Sequence, residues 1–365
     1  MTSSAVLPPL YAGWIEGLLG GPIPSESNAT CNSCAMLVSD ATGAQPDTGY
    51  NPETKCCTYM PELWNFLVGR ILDDDSADAG PGRATVEARI DRGLVVTPLG
   101  LGRSRTFRLI YGTGGATTFG LSRNLRCPHY LHEQGGLCGV WRHRESTCAT
   151  WFCKHVRGAV GLNFWSHLHQ LLRTAENAIA GWTLLELRFD RAALAHLYEP
   201  RREENRAKLT GRDVDGAPDP ADIRASWGAW LGRERELYRE CARLVASLAW
   251  DDVLRLGGAQ LSVYAAIVED AYERLMNDAI PARPAPALVQ ITPRGRDRVR
   301  ITGYSGMDAL EMPPEIARLI SYFDGRPVAE VIEEISRTEG VTVDPSFVRK
   351  LADFGVLREA EITPA

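Results

Sequence analysis

Eight of the nine cysteines in this 365-residue chain lie between Cys31 and Cys153, and only Cys241 falls outside. Cys31-Asn32-Ser33-Cys34 has the C-x2-C spacing at which a tight turn aims two thiolates at one metal ion. Adjacent Cys56 and Cys57 follow, then Cys127, Cys138, Cys148 and Cys153. Neighbouring residues of an extended segment point to opposite sides, so Cys56 and Cys57 serve two centres, or one ligates while the other packs. All eight are candidate ligands, enough for two four-ligand sites or for one iron–sulfur cluster with several thiols left over. The implied cofactor is therefore zinc or an iron–sulfur cluster. Zinc is the simple choice for thiolates and a cluster suits redox or radical chemistry, and spacing leaves both open.

The competing use of eight cysteines is four disulfides. The opening MTSSAVLPPLYAGWIEGLLGG has neither the basic region nor the compact apolar stretch of a secretory signal, which points to the cytoplasm, where thiols stay reduced. No window approaches the roughly 18 apolar residues of a membrane span. Among the imidazoles near the cysteines, His155 is the preferred group beside the ligands. Cys153-Lys-His-Val-Arg157 places it next to two cations, and His129, two residues after Cys127, is the second choice. Cys241 sits in an apolar helical stripe and reads as a buried, unreactive thiol. Gly112-Thr-Gly-Gly115 reads as a plain turn. No nucleophile elbow, Walker A loop, H-E-x-x-H pair or C-x3-C-x2-C run is present, so hydrolase, nucleotidase and ordinary radical-SAM chemistry have no support.

The segment from Arg126 to Cys153 resembles the second half of the CxxCxxxCC family of zinc- or iron-chelating proteins. Cys138, Val140, Trp141, Arg144, Cys148 and Phe152 stand at the family's positions, while Glu145 replaces its usual proline. The resemblance spans about residues 28 to 157. Its first half departs more, because residues 35 to 55 separate Cys34 from Cys56 where the family is nearly contiguous. That inserted loop is expected to stay out of the site. Flagellin lysine N-methylases are similar to this family, which brings modification of a protein substrate as its enzymatic precedent.

These residues need elements to hold them. With 44% hydrophobic and 24% charged residues the chain can bury a real core, and the expected class is α+β in three parts. The first, residues 1 to 157, is an irregular cysteine-rich module that binds a metal or cluster, with β-prone runs at Leu94–Thr97 and Thr106–Tyr111. The second, residues 158 to 280, is helical. Leu237, Tyr238, Cys241, Leu244, Val245 and Leu248 follow a helical period, as do Leu261, Tyr264, Ile267, Val268 and Leu275. The charged stretch from Arg201 to Arg212 is expected as an exposed linker or lid, and the proline run from Pro281 to Pro286 as a domain boundary.

The third part, residues 287 to 361, reads as a winged-helix-like recognition domain. A hairpin is expected over Val289–Thr302, turning near Pro293-Arg294-Gly295, and three helices should follow. One carries Ile316, Leu319, Ile320 and Phe323, a second Val328, Val331, Ile332 and Ile335, and a third, capped by Asp344 and Pro345, stops at Gly355. This pattern resembles the PqqD-like domains that bind leader segments of ribosomally made peptides, carried here by Leu310–Glu315, Ile320–Gly325, Val328–Ile332 and Phe347–Leu351. The resemblance implies a peptide partner added as a strand at the hairpin edge. Arg296, Arg298 and Arg300 alternate along one expected strand and are candidates to bind an acidic peptide. A net charge of −6 for the chain, from 40 Lys and Arg against 46 Asp and Glu, argues against a nucleic-acid partner. The expected function is metal- or cluster-dependent modification of a peptide or protein substrate. The alternative is a non-catalytic, zinc-stabilised binding or regulatory protein.

Overall fold

The computed structural model describes residues 7–26, 31–37, 49–198 and 219–360. They fall into two units with mixed helix and small antiparallel sheets, an α+β chain. Unit 1 comprises Met1–Ser25, Thr30–Trp151 and Leu168–Ala266, and unit 2 Glu26–Ala29, Phe152–His167 and Ile267–Ala365. The expected lid from Arg201 to Arg212 lies outside the described residues. Among the described residues, no helix is long and apolar enough to cross a membrane.

In unit 1 the framework is helical. Helix α1 (Pro9–Leu19) begins with proline in its first turn and ends at Gly20 in the left-handed conformation. Helices α2 (Asn65–Leu72) and α3 (Gly80–Arg92) follow. Next come α4 (Arg105–Ile110), α5 (Ser146–Thr150) and the long α6 (Gly158–Glu186), which enters this unit at Leu168. Helices α7 (Arg191–Tyr198), α8 (Pro220–Trp227) and α9 (Glu234–Val245) lead to α10 (Trp250–Met276), which is kinked at Gly258. Helix α9 buries Leu237, Tyr238, Cys241 and Val245 of the expected stripe, with Ala242 beside them, while Leu244 is half-buried and Leu248 lies past the helix end. It lies so close to α2 that a Cβ on Gly69 would stand 1.9 Å from the Tyr238 carbonyl oxygen, an approach open only to glycine. Tyr11, Trp14, Ile15, Leu171, Leu172 and Ile179 are also buried in this unit.

Two small sheets complete unit 1. One orders β1 (Leu63–Trp64), β3 (Gly100–Leu101) and β2 (Val96–Thr97), and the other pairs β4 (Tyr130–Leu131) with β5 (Leu137–Cys138). The β-prone run at Leu94–Thr97 thus supplies β2, but Thr106–Tyr111 does not form the expected strand. Ser104 caps the segment by accepting from the Phe107 N–H at 3.1 Å. Phe107 is buried and stacks on Tyr111 one turn later, with ring centroids 5.5 Å apart. A cap and an i,i+4 aromatic pair here outweigh the strand preference of Thr, Phe, Ile and Tyr. The glycines after Tyr111 continue as a π-helical turn, Tyr111–Gly115.

Unit 2 holds the C-terminal elements. Strand β6 (Pro284–Pro286) pairs with β10 (Leu357–Glu359), while β7 (Gln290–Arg294), β8 (Arg298–Thr302) and β9 (Leu310–Met312) form an antiparallel sheet with β8 in the centre. Helix α11 (Pro314–Ala317) runs on as a 3-10 turn over Arg318–Tyr322 and precedes α12 (Val328–Glu339) and α13 (Pro345–Asp353). The Asp344 carboxylate caps α13 by accepting from the Ser346 N–H at 2.7 Å. Ile301, Leu319, Ile320, Phe323, Val331, Ile335, Val348 and Leu351 share one core with Val356 and Leu357. The hairpin and the second and third helices form where expected, while the first expected helix is a short helix running on as a 3-10 turn that buries Leu319 and Ile320 with Phe323 after it.

The proline run, expected as a domain boundary, lies within unit 2. Its backbone pairs with β10, and the Glu359 carboxylate accepts from the Ala282 and Arg283 N–H groups at 2.8 and 2.9 Å. Proline is tolerated there because an edge strand leaves one side unpaired. The arginine strip also changes. Arg296 lies in the turn between β7 and β8, and Arg298 and Arg300 lie on the central strand, not on an edge. Their guanidinium groups donate to the carbonyls of Glu311 at 2.7 Å and Gly306 at 2.6 Å, which ties down β9 and the segment before it.

Candidate metal centre

Four backbone segments of unit 1 bring the cysteines together. The 3-10 turn Cys31–Ser33 touches β5, which ends in Cys138. Tyr130 pairs with Cys138 across the β4–β5 hairpin, and the Cys127 N–H donates to the Cys57 carbonyl at 2.8 Å. The turn after Cys138 crosses the start of α3 at Gly82, where an added Cβ would lie 1.7 Å from the Gly139 carbonyl oxygen. Small residues at both crossing points allow that contact.

Lys55 organises the set from within. Although the segment from 35 to 55 is expected to stay out of the site, its last residue returns to the centre of it and is 6% exposed. The Lys55 ammonium donates to the carbonyls of Cys31 at 2.6 Å, Gly135 at 3.0 Å and Gly136 at 2.9 Å, so all three of its protons are used. Gly135 and Gly136 take φ of 73° and 70°, and Lys55 itself takes φ of 50°. For a lysine that conformation is strained, and the three charge-assisted bonds hold it. One side chain thereby locks the Cys31 turn to the loop that precedes Cys138.

The thiols lie within electrostatic reach of one another. Burial pushes the Cys31 thiol up to about 12, with Cys56 and Cys34 adding to the rise, and Cys127 and Cys138 rise to about 12 for the same first reason. Cys148 is raised strongly by burial and by the Glu145 carboxylate, with Cys127 and Cys138 contributing. Cys56 and Cys57 share a hydrogen bond that favours the proton on Cys56 and the thiolate on Cys57, but burial and the charges of Cys138, Cys127 and Cys31 still raise Cys57 overall. The thiols of Cys31, Cys56, Cys57, Cys127, Cys138 and Cys148 are thus each raised, which favours their neutral state unless positive charge enters. Cys241 is buried elsewhere, in the α9 stripe, as expected.

Further groups surround this set. Arg144, 5% exposed, lies over the Trp141 ring at 3.4 Å from its centroid and donates to the carbonyls of Trp141 and Cys148, each at 3.1 Å. Glu145 caps α5. Its two carboxylate oxygens accept from the N–H groups of Thr147 at 2.7 Å and Cys148 at 2.9 Å. Behind it Glu176 is buried and accepts from the Ser146 N–H at 2.7 Å and its hydroxyl at 2.6 Å, and from Tyr11. Burial, reinforced by Glu145, raises Glu176 to about 8. In the sequence Arg144 and Glu145 stand out only as motif positions, and Lys55 and Glu176 are not candidates. The local signal for Lys55 is its place directly before Cys56-Cys57.

His129 is at the site but its ring is committed. Nδ1 lies 2.7 Å from the Thr85 hydroxyl and Nε2 lies 3.1 Å from the Arg89 guanidinium. The Thr85 hydroxyl donates to the Gly82 carbonyl and an arginine can only donate, so His129 carries its proton on Nδ1 and both nitrogens are used. Burial first, then Arg89, lowers its pKa to about 3. Its contribution to the cysteines is its backbone, whose N–H donates to Cys127 Sγ at 3.4 Å. Cys153 and His155 belong to unit 2. There the His155 N–H donates to the Asp308 carboxylate at 2.9 Å, and its Nδ1 lies 3.3 Å from the Tyr304 hydroxyl. Burial lowers its pKa, against the pull of Asp308.

Among the described residues, no three or more His, Cys, Asp and Glu side chains are arranged as a group able to hold a metal ion. Burial holds the thiols of Cys31, Cys127, Cys138 and Cys148 towards the neutral form, and Cys56 shares a hydrogen bond with Cys57. In chemistry the donor set fits a thiophilic ion or an iron–sulfur cluster. It is soft and thiol-rich, and it has a backbone N–H on one sulfur and buried cations beside others. No family of known proteins, no curated protein and no solved structure matches the chain.

Proposed function

We propose that unit 1 carries a thiolate-ligated zinc or iron–sulfur centre. The chain would use this centre to modify a peptide or protein substrate bound by the winged-helix-like region of unit 2. The observation that carries the reading is the meeting of the Cys31, Cys57, Cys127 and Cys138 backbone segments, with Lys55 joining the Cys31 turn to the loop before Cys138 and Arg144 buried on the Cys148 carbonyl. Cys31, Cys34, Cys56, Cys57, Cys127, Cys138 and Cys148 would hold the metal as thiolates, and Cys153 is the eighth candidate. Bound metal supplies the positive charge that makes thiolates favourable, and it can add Lewis-acid or redox chemistry. The partner reading rests on the sheet of unit 2, in which β7 and β9 each have one side unpaired within the sheet. A strand-adding peptide needs such an edge.

The test compares cells expressing the wild-type chain with cells expressing C138S, using mass spectrometry of peptides and proteins. A defined mass increment on one target, lost in C138S, supports the modifying enzyme. Metal bound with closed four-thiolate coordination and no mass change assigns the chain to the non-catalytic, zinc-stabilised class. Tight binding of duplex DNA in place of a peptide would refute the partner reading.

A further inference from the structure

The three-stranded sheet of unit 2 gathers arginines on one side. Register pairs Arg294 with Arg298, Thr292 with Arg300, and Arg300 with Glu311, and residues paired in this way point to the same face. The alternate residues Val299, Ile301, Leu310 and Met312 turn the other way and pack in the core of the unit. Three guanidinium groups and one carboxylate therefore share the face turned away from that core. Arg294 stands directly across from Arg298, a like-charge pair that destabilises a sheet. The Glu311 carboxylate lies 3.5 Å from the Arg294 guanidinium. Arg298 and Arg300 donate instead to the neutral carbonyls of Glu311 and Gly306, which orient the guanidiniums without balancing their charge. Arg296 and Asp297, both in the turn, offset one another. The positive surplus is local, because residues 287 to 361 together hold 10 Lys and Arg against 13 Asp and Glu.

We propose that this face captures an acidic segment of the peptide substrate, with carboxylates seated on Arg298 and Arg300 beside Arg294. This rests on the peptide-partner reading above and adds the chemistry of the peptide. A strand added at an edge of the sheet lays every second side chain on the same face. The planar fork of each arginine suits a carboxylate, to which it gives two parallel bonds. An acidic segment also relieves the repulsion between Arg294 and Arg298, whereas a duplex would bring its many phosphates to a unit of net negative charge.

The experiment follows fluorescence anisotropy of three labelled probes with the full chain. They are a short peptide alternating Glu and Thr, its isostere with Gln in place of Glu, and a short DNA duplex. The wild-type chain is expected to bind the Glu peptide, less tightly as salt rises, and to bind the Gln peptide about tenfold less tightly. R298Q/R300Q should lose about 5- to 30-fold in affinity for the Glu peptide, the range of two exposed ion pairs, and should respond less to salt. R298K/R300K, which keeps the charge but not the fork, should fall between. E311Q removes the competing carboxylate and should bind the Glu peptide about 2- to 5-fold more tightly. It leaves the arginine bonds to the backbone in place, so it decides the matter if the double variants fail to fold. Equal binding of the two peptides, wild-type affinity in R298Q/R300Q, equal losses in the two double variants, or an E311Q chain no tighter than wild type would overturn the inference while a peptide partner still stands. A wild-type chain that binds neither peptide at millimolar concentration would overturn it too, and tight binding of the duplex in their place would overturn the partner reading with it.

Discussion

Replacing Lys55 with methionine should unlatch the candidate centre. The ammonium makes three bonds of 2.6 to 3.0 Å to carbonyls of Cys31, Gly135 and Gly136. Each charge-assisted bond contributes about 1.5–3 kcal/mol. Desolvating the ammonium takes back several kcal/mol, and ordering the lysine stem takes back about 2 kcal/mol. Methionine fills the space of the stem, so the net loss is roughly 3 kcal/mol, below the gross sum of the three bonds. For a unit of this size that corresponds to a fall in melting temperature on the order of 6–12 °C. K55R should not rescue the defect, because a planar fork cannot direct three donors at carbonyls arranged around an ammonium. Calorimetry of the metal-free chain gives the stability, and hydrogen exchange at residues 135 to 138 shows whether the loss is local. A K55M chain within about 0.5 kcal/mol of wild type, the usual scatter of surface substitutions, would refute the latch.

Gly82→Ala should destabilise unit 1 by about 2–3 kcal/mol or more, since its Cβ would meet the backbone oxygen of Gly139 at 1.7 Å, and a thermal melt reads the effect. The Glu176 carboxyl is raised in the fold from its ordinary 4.5 to about 8. Its contribution to stability is therefore complete below pH about 4.5 and is lost as pH rises through about 8. Denaturant titrations should show that decline in wild type and a flatter profile in E176Q, and parallel profiles would count against it. Chelation should open residues 28 to 157 to protease before residues 287 to 361, whose core contains no cysteine. Simultaneous cleavage of both regions would argue that metal does not support the first one.

Much of this architecture is legible in the sequence wherever one apolar face decides the local structure. The α9 stripe and the three helices of unit 2 are read from period and caps alone, because burial of Leu237, Cys241, Val331 or Leu351 needs no distant partner to predict it. The clustering of eight cysteines between Cys31 and Cys153 is likewise plain in the sequence. What stays hidden depends on long-range partners. Thr106–Tyr111 carries strand-forming residues but obeys the Ser104 cap, and Pro284–Pro286, inside a run that reads as a boundary, forms a strand because β10 pairs with it. Lys55 is one charged residue among 86, and only the meeting of carbonyls 24, 80 and 81 positions away shows its role. Arg298 and Arg300 read as an edge strip because alternation gives their face, but only pairing on both sides shows that β8 is central.

The most direct test of the central claim is anaerobic purification of the full chain, followed by metal and sulfide analysis and X-ray absorption at the zinc or iron edge. The account predicts at least one zinc, or a brown iron–sulfur chromophore, per chain, with sulfur ligands at about 2.3 Å. It also predicts that C31S, C138S and C148S each lower the metal content. A folded, metal-free protein that neither zinc nor iron and sulfide can reconstitute, and whose cysteines of unit 1 all react with an alkylating agent, would contradict it.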